Sequence, residues 1–245
     1  MNDIIEIDII ILSYAQTPEF KQMTDQCIQS LINSEDPGTI KFNIIVIESA
    51  VDFESYQYRG TKTIYTDKEF GYHKYMNIGI ELTSAPYICL CNNDLIFYPH
   101  WATEMLTAFN TYNLSSGSPV CPYHHPGVNI DLNSGVHLGY KVRQEISGWC
   151  IFIKRELLKK TGKLDENYKF WCSDNDYANT LFMLGITHGL VTSSIVDHLE
   201  SRTLSSQPIE KQQSYVDEDL VYFGKKWNSR LGYAGWSVLA EGEQN

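Results

Sequence analysis

The chain has 245 residues, 43% of them hydrophobic and 20% charged, which is enough for one large or two small globular domains. A formal net charge of −11 argues against a surface built to grip a nucleic-acid backbone, which needs clustered Lys and Arg. The first residues, Met1-Asn2-Asp3-Ile4-Ile5-Glu6, lack the basic region and long apolar core of a secretory signal, and no apolar run approaches the ~18 residues of a membrane span, so a cytoplasmic protein without a transmembrane segment is expected.

In chain order, Ile7 to Leu12 is an apolar strand, followed by a polar turn and an amphipathic helix from about Glu19 to Ile32. Ile40 to Ile47 is a second strand ending at Glu48-Ser49, and Thr63-Ile64-Tyr65 a short third. Gly71 then opens a helical pattern from Tyr72 to Leu82. A strand over Tyr87 to Cys91 and a helix over His100 to Asn110 follow. This strand–helix alternation predicts an α/β fold with a mostly parallel central sheet flanked by helices.

Residues 121 to 145, rich in Pro, Gly and Asn, read as a long irregular excursion or a small hairpin that shapes a binding site. Ser147 to Ile153 is a strand, Arg155 to Thr161 a short helix, and Gly162 to Cys172 a loop. An amphipathic helix runs from Ser173 to just before Gly185, and Thr187 to Val196 is extended. The polar stretch Ser201 to Gln213 reads as a loop and Ser214 to Trp227 as a helix, giving one compact domain with a C-terminal extension.

Six cysteines, at 27, 89, 91, 121, 150 and 172, form no C-x-x-C pair, which argues against structural zinc and for reduced apolar fillers. No Gly-rich dinucleotide fingerprint, phosphate loop or Gly-x-Ser-x-Gly elbow is present.

Four polar groups stand out. Asn92-Asn93-Asp94 leaves a buried strand at its carboxyl end, where open α/β sheets bind ligands; it reads either as a polar turn or as a site for a divalent cation and a phosphorylated ligand. In Trp171-Cys172-Ser173-Asp174-Asn175-Asp176, Ser173 or Asp174 is either a helix cap, or one carboxylate is a general base. His198, after Asp197, is either structural or a ligand of borderline metals. The run from Phe70 to Gly79 is either plain helix initiation or a helix start near a phosphate or sugar, aided by Lys74. His124-His125 reads as loop surface.

The order of these features resembles the family-2 type of glycosyltransferases with the GT-A fold, over roughly residues 6 to 200. The resemblance rests on Ile9 to Tyr14, Cys27 to Leu31, Phe70-Gly71-Tyr72 through Asn77-Ile78-Gly79, and Cys91-Asn92-Asn93-Asp94 as a variant of the D-x-D motif. It extends through Gly148 to Arg155, Gly162 to Glu166, and Asp174-Asn175-Asp176. It implies a GT-A domain over 1–200 and a C-terminal extension over 201–245, loop plus helix, packed on it.

It further implies a metal-dependent, inverting transfer of a sugar from a nucleoside-diphosphate sugar to an acceptor hydroxyl, on a glycan, lipid-linked sugar, protein or modified base. Asp94 and His198 are then the ligands of Mn2+ or Mg2+, and Asp174 is the catalytic base. Ser13, Tyr14, Ala15, Glu48, Gly71, Tyr72, Lys74, Asn77, Asn92 and Asn93 face the donor, and Trp149, Trp171 and Asp176 the acceptor. Two positions depart from the family pattern: Asn92 replaces the first carboxylate of D-x-D, and Ser173 replaces the Glu before the base. The alternatives are a nucleotidyltransferase on a similar scaffold, or a non-catalytic sugar- or protein-binding domain.

Overall fold

The computed structural model describes residues 4–128, 130–133, 135–199 and 216–228. The loop expected over Ser201 to Gln213, and the first two residues of the helix expected after it, lie outside these. No helix among the described residues is long and apolar enough to cross a membrane.

Strand β1 (Ile5–Ser13) lies between β2 (Ile40–Glu48) and β4 (Tyr87–Asn92), parallel to both, and β3 (Lys62–Tyr65) extends this parallel group beyond β2. Beyond β4 the sheet becomes mixed. Strand β8 (Cys150–Lys154) runs antiparallel to β4 and is followed by β6 (Ser116–Val120), then β9 (His188–His198), then β5 (Leu95–Phe97). Strand β7 (Val136–Leu138) also pairs with β9. Strands β6 and β9 run in the same direction as β4, so the central sheet is mostly parallel, as expected, with β8, β7 and β5 as its reversed strands.

Both faces are covered, as continuous apolar strands require. Ile7, Ile9, Ile11, Cys89 and Cys91 point to one side, packing with α1 (Pro18–Ile32) and α3 (Trp101–Thr111). Ile10, Ile88 and Leu90 point to the other, against α2 (Tyr72–Glu81) and α5 (Ser173–Met183). Thr17 caps α1 by accepting the Phe20 N–H, and Pro18 occupies the first helical turn. Gly79 is needed on α2, because a Cβ there would overlap the Ile10 side chain of β1. Between β8 and α5 the chain makes a short α4 (Leu158–Thr161), preceded by a 3-10 turn over Arg155–Leu157.

Asp8, 1% exposed in β1, is the main polar tie of this face. Its carboxylate accepts the Arg155 Nη2 at 2.6 Å, the Ala85 N–H at 2.7 Å and the Asn43 amide at 3.0 Å. Arg155 in turn donates to the Ala85 and Ile80 carbonyls and to Thr83. Removing one partner of such a pair leaves a buried charge uncompensated. Arg155→Ala is therefore expected to lower unfolding free energy by about 3 kcal/mol, read from urea titration; a change under about 1 kcal/mol would show the pair to be dispensable.

A last helix, α6, covers residues 216–228. Phe223 and Trp227 are buried in the α2–α5 cluster. Lys226 lies 2.6 Å from Asp165 and 2.7 Å from Asp176, and Tyr222 donates to Asp165 at 2.9 Å. Burial opposes ionisation of Asp165, yet Lys226 and the Asn167 amides hold its carboxyl down to about 2. A depressed carboxylate contributes stability above its unfolded pKa, near 4, and loses it as the pH falls toward 2. Asp165→Asn should lower the thermal midpoint at pH 6 and flatten its decline between about pH 4 and 2; a decline as steep as in the wild type would remove Asp165 from the acid response.

Candidate active site

The carboxyl ends of β1, β2 and β4 meet the amino end of β8 on one edge of the sheet. Asn92 closes β4, and its N–H donates to the Trp149 carbonyl at 2.9 Å. Asp94 follows two residues later, 3% exposed. Its backbone carbonyl accepts the Leu199 N–H at 2.9 Å, just past the end of β9. The antiparallel register pairs Leu95 with His198, so the His198 ring returns over Asp94, with Nε2 3.4 Å from Oδ1. Both atoms are buried, and neither has a hydrogen-bond partner among the described residues.

The Trp149 ring stacks on His198 at 4.9 Å and 4°, fixing its plane, and His124 meets Trp149 edge-on at 4.9 Å. The His198 N–H points to the Cys121 sulfur at 3.5 Å. Contrary to the sequence reading, His124-His125 is therefore not loop surface. His125 is fully buried; its ring contacts the Cys121 backbone and the Gln144 carbonyl, and burial lowers its pKa to about 4, keeping it neutral.

Gly148 connects this corner to Asp174. A Cβ on Gly148 would lie 2.7 Å from Asp174 Oδ2 and 2.9 Å from its Cβ. The Tyr72 hydroxyl lies 3.3 Å from the Gly148 carbonyl and 3.5 Å from Asn92 Oδ1. Burial first, then nearby Cys91 and Asp174, push this phenol well up, so it remains a donor. Asp174 stands in the first turn of α5, and its Oδ1 accepts the Asn175 N–H at 2.9 Å. Neither Ser173 nor Asp174 caps the helix as expected; the cap position is Cys172, at φ 56 and without a side-chain hydrogen bond.

This sheet edge thus carries a buried carboxylate–imidazole pair, Asp94 and His198, and a second carboxylate, Asp174, against Gly148. The glycosyl transferase family 2 model matches residues 8–162. The chain belongs to that family. The transferase has the GT-A fold, and membership sets aside the nucleotidyltransferase and non-catalytic alternatives. Residues 1–349 of TarS from S. aureus are similar in structure, with TM-score 0.60 and 10% identity over 92% of this chain and 74% of that segment. The same TarS segment in complex with UDP-GlcNAc gives 0.65 and 14% over 97% and 71%. GalNAc-T7, crystallised with UDP, GalNAc and Mn2+, gives 0.63 and 12%, over 95% of this chain and 53% of GalNAc-T7. No curated protein matches the chain in sequence.

Several residues expected at the transferase's donor or acceptor bond to other parts of the chain. Glu48, 2% exposed, accepts the Ala15 and Ala50 N–H groups at 3.1 and 2.9 Å and the Tyr58 hydroxyl at 3.1 Å, so it shapes the β1 turn from within. Asn93 points inward, donating to Thr24 at 2.8 Å and lying 3.4 Å from Ser13. The Asn77 amide bonds the Leu164 backbone on both sides and Glu166, tying α2 to the loop before α5. Lys74 reaches the Glu69 carbonyl at 3.3 Å. Asp176 is turned to α6, accepting the Trp227 indole at 2.8 Å and lying 2.7 Å from the Lys226 ammonium.

Gly71 caps α2 beside the Tyr168 carbonyl, half-buried Tyr14 and buried Ala15 follow β1, and half-buried Trp171 borders the Asp174 turn. Sequence reasoning missed Tyr58, Thr24 and the α6 partners, whose spacing from the motifs carries no periodic signal. The Cys89, Cys91 and Cys150 sulfurs lie within 4.8 Å of one another in the apolar core, where burial pushes Cys89 and Cys91 well up and keeps them as neutral thiols. Gly148→Ala is expected to displace Asp174 and lower kcat at least about tenfold, with donor KM within about twofold. Wild-type kcat in a folded Gly148→Ala enzyme would refute the contact's importance.

Proposed function

We propose that this glycosyltransferase moves a sugar from a nucleoside-diphosphate donor to an acceptor hydroxyl, with inversion, and that it depends on a divalent cation held by Asp94 and His198. The observation that carries this reading is the pair of buried atoms Asp94 Oδ1 and His198 Nε2, which face each other at 3.4 Å and make no hydrogen bond among the described residues. One carboxylate oxygen and one imidazole nitrogen suit Mn2+, and fewer protein ligands are needed when diphosphate oxygens complete the shell. UDP-GlcNAc in TarS, and UDP with Mn2+ in GalNAc-T7, support the same donor chemistry. Bound there, Mn2+ or Mg2+ supplies Lewis-acid stabilisation of the leaving diphosphate.

The chain's own groups do the rest. Trp149 holds the His198 ring by stacking, and Tyr72 fixes Asn92 and the Gly148 carbonyl. Asp174 takes the acceptor proton while the acceptor oxygen bonds to the anomeric carbon and the bond from that carbon to the diphosphate breaks. One base and one displacement give inversion. The Ser13-Tyr14-Ala15 turn, with Glu48 behind it, is assigned to the nucleoside, and the half-buried Trp171 ring to the acceptor, while Trp149 serves through its stacking on His198.

Asp174→Asn should reduce transfer by about three orders of magnitude while UDP with Mn2+ still binds in calorimetry. Asp94→Ala should abolish the Mn2+ dependence of that binding. Nucleotide binding equally tight with and without Mn2+ in the wild type would sink the metal assignment, and unchanged turnover in Asp174→Asn the base assignment.

A further inference from the structure

The loop that delivers Asp174 is held from outside its own helix. Asp219 on α6, 1% exposed, accepts three consecutive backbone N–H groups: Lys169 at 2.9 Å on Oδ1, and Phe170 and Trp171 at 2.8 and 2.7 Å on Oδ2. A carboxylate receiving several backbone donors makes charge-assisted bonds, each stronger than a neutral one. The next residue, Cys172, is in the left-handed region at φ 56, and α5 begins without a side-chain cap. The direction of the first turn, and with it the Asp174 side chain against Gly148, therefore depends on how peptides 169 to 171 are held.

The same loop reaches the donor side. The Lys169 carbonyl accepts the Tyr72 N–H at 2.7 Å, the first peptide of α2, and Tyr72 is the residue whose hydroxyl contacts Asn92 and Gly148. The Phe170 carbonyl accepts the Ser173 hydroxyl at 3.1 Å, closing the turn. Among the described residues, Asp219 makes no hydrogen bond to the side chains assigned to donor, metal or acceptor. It binds only the backbone that carries them.

We propose that Asp219 is a positioning residue for the transfer reaction, and that α6 is thereby a working part of the acceptor half of the site rather than an appended helix. This rests on Asp174 being the base. Asn at 219 keeps one accepting oxygen but turns an amide N–H₂ toward backbone donors; Ala accepts nothing.

The test uses the full chain and two readouts. Hydrogen exchange, measured without substrate, should show the amides of 169–171 exchanging about a hundredfold faster in Asp219→Ala, with β1 and β4 unchanged. Turnover is measured with whichever sugar the wild type hydrolyses fastest in a panel of UDP- and GDP-sugars with Mn2+. Asp219→Ala should lower kcat at least about tenfold with donor KM within about twofold, and Asp219→Asn should fall between it and the wild type. Tyr222→Phe, which loses an α6 contact to Asp165 but not the clamp, should retain wild-type kcat.

Unchanged exchange at 169–171, or unchanged kcat despite faster exchange, overturns the proposal. So does an equal loss in Tyr222→Phe, which would assign the effect to helix docking in general. Failure of the base reading is separable: full turnover by Asp174→Asn removes the catalytic half of the proposal, while the exchange measurement still decides whether Asp219 holds the loop.

Discussion

The antiparallel pairing of β8 with β4 is the constraint on which the site depends. Cys91 lies opposite Cys150, and one step further the Asn92 N–H bonds the Trp149 carbonyl. That register sets Gly148-Trp149, distant in sequence, beside Asn92-Asn93-Asp94. Gly148 then receives Asp174 from one direction, while Trp149 receives His198 from another. A slip by one residue would reverse the facing of every β8 side chain and put Trp149 on the wrong side of the sheet. The continuous apolar run Cys150-Ile151-Phe152-Ile153, buried on both faces, opposes such a slip through packing.

Buried carboxylates recur as receivers of backbone N–H groups at the points where the chain turns. Glu48 holds the turn after β1, Asp8 the approach to β4 and Asp219 the approach to α5. Glu35 does the same for α3, accepting the Ala102 and Thr103 N–H groups at 2.8 and 3.0 Å. The formal charge of −11 is consequently a poor guide to the molecule's outer field. Several of its acids are inside, each surrounded by oriented amide dipoles.

The parallel half of the fold was legible because its strands are unbroken apolar runs and its helices have clear starts, such as Thr17-Pro18 and Gly71. The boundaries of α5, at Ser173 and before Gly185, were legible for the same reason. Strand β6 was not: Ser116-Gly117-Ser118-Pro119-Val120 is fully buried, yet it is small and polar, with a proline, because Phe109 and the Gly189 backbone press on Gly117. The reversal at β8 was equally invisible, since direction within a sheet leaves no mark on an apolar run. Among the site residues, Asp94 and His198 meet at strand ends and Asp174 stands in the first turn of α5. Asn77, Glu48 and Asp176 carry the same residue types but bond inward, a difference decided by tertiary partners such as Leu164, Tyr58 and Trp227.

The excursion between β6 and β8 leaves the core at Cys121 and re-enters it at Ile146, both fully buried. Its two ends are pinned close to the catalytic edge, by the Cys121 sulfur at the His198 N–H and by Ser147 donating its N–H to Ser118 at 3.1 Å. Between those anchors the described residues add one short 3-10 turn and one three-residue strand. These residues are tied to the frame as well: His124 and His125 pack on Trp149, and Val136–Leu138 pairs with β9. A segment with little regular structure thereby braces the very ring that stacks on His198.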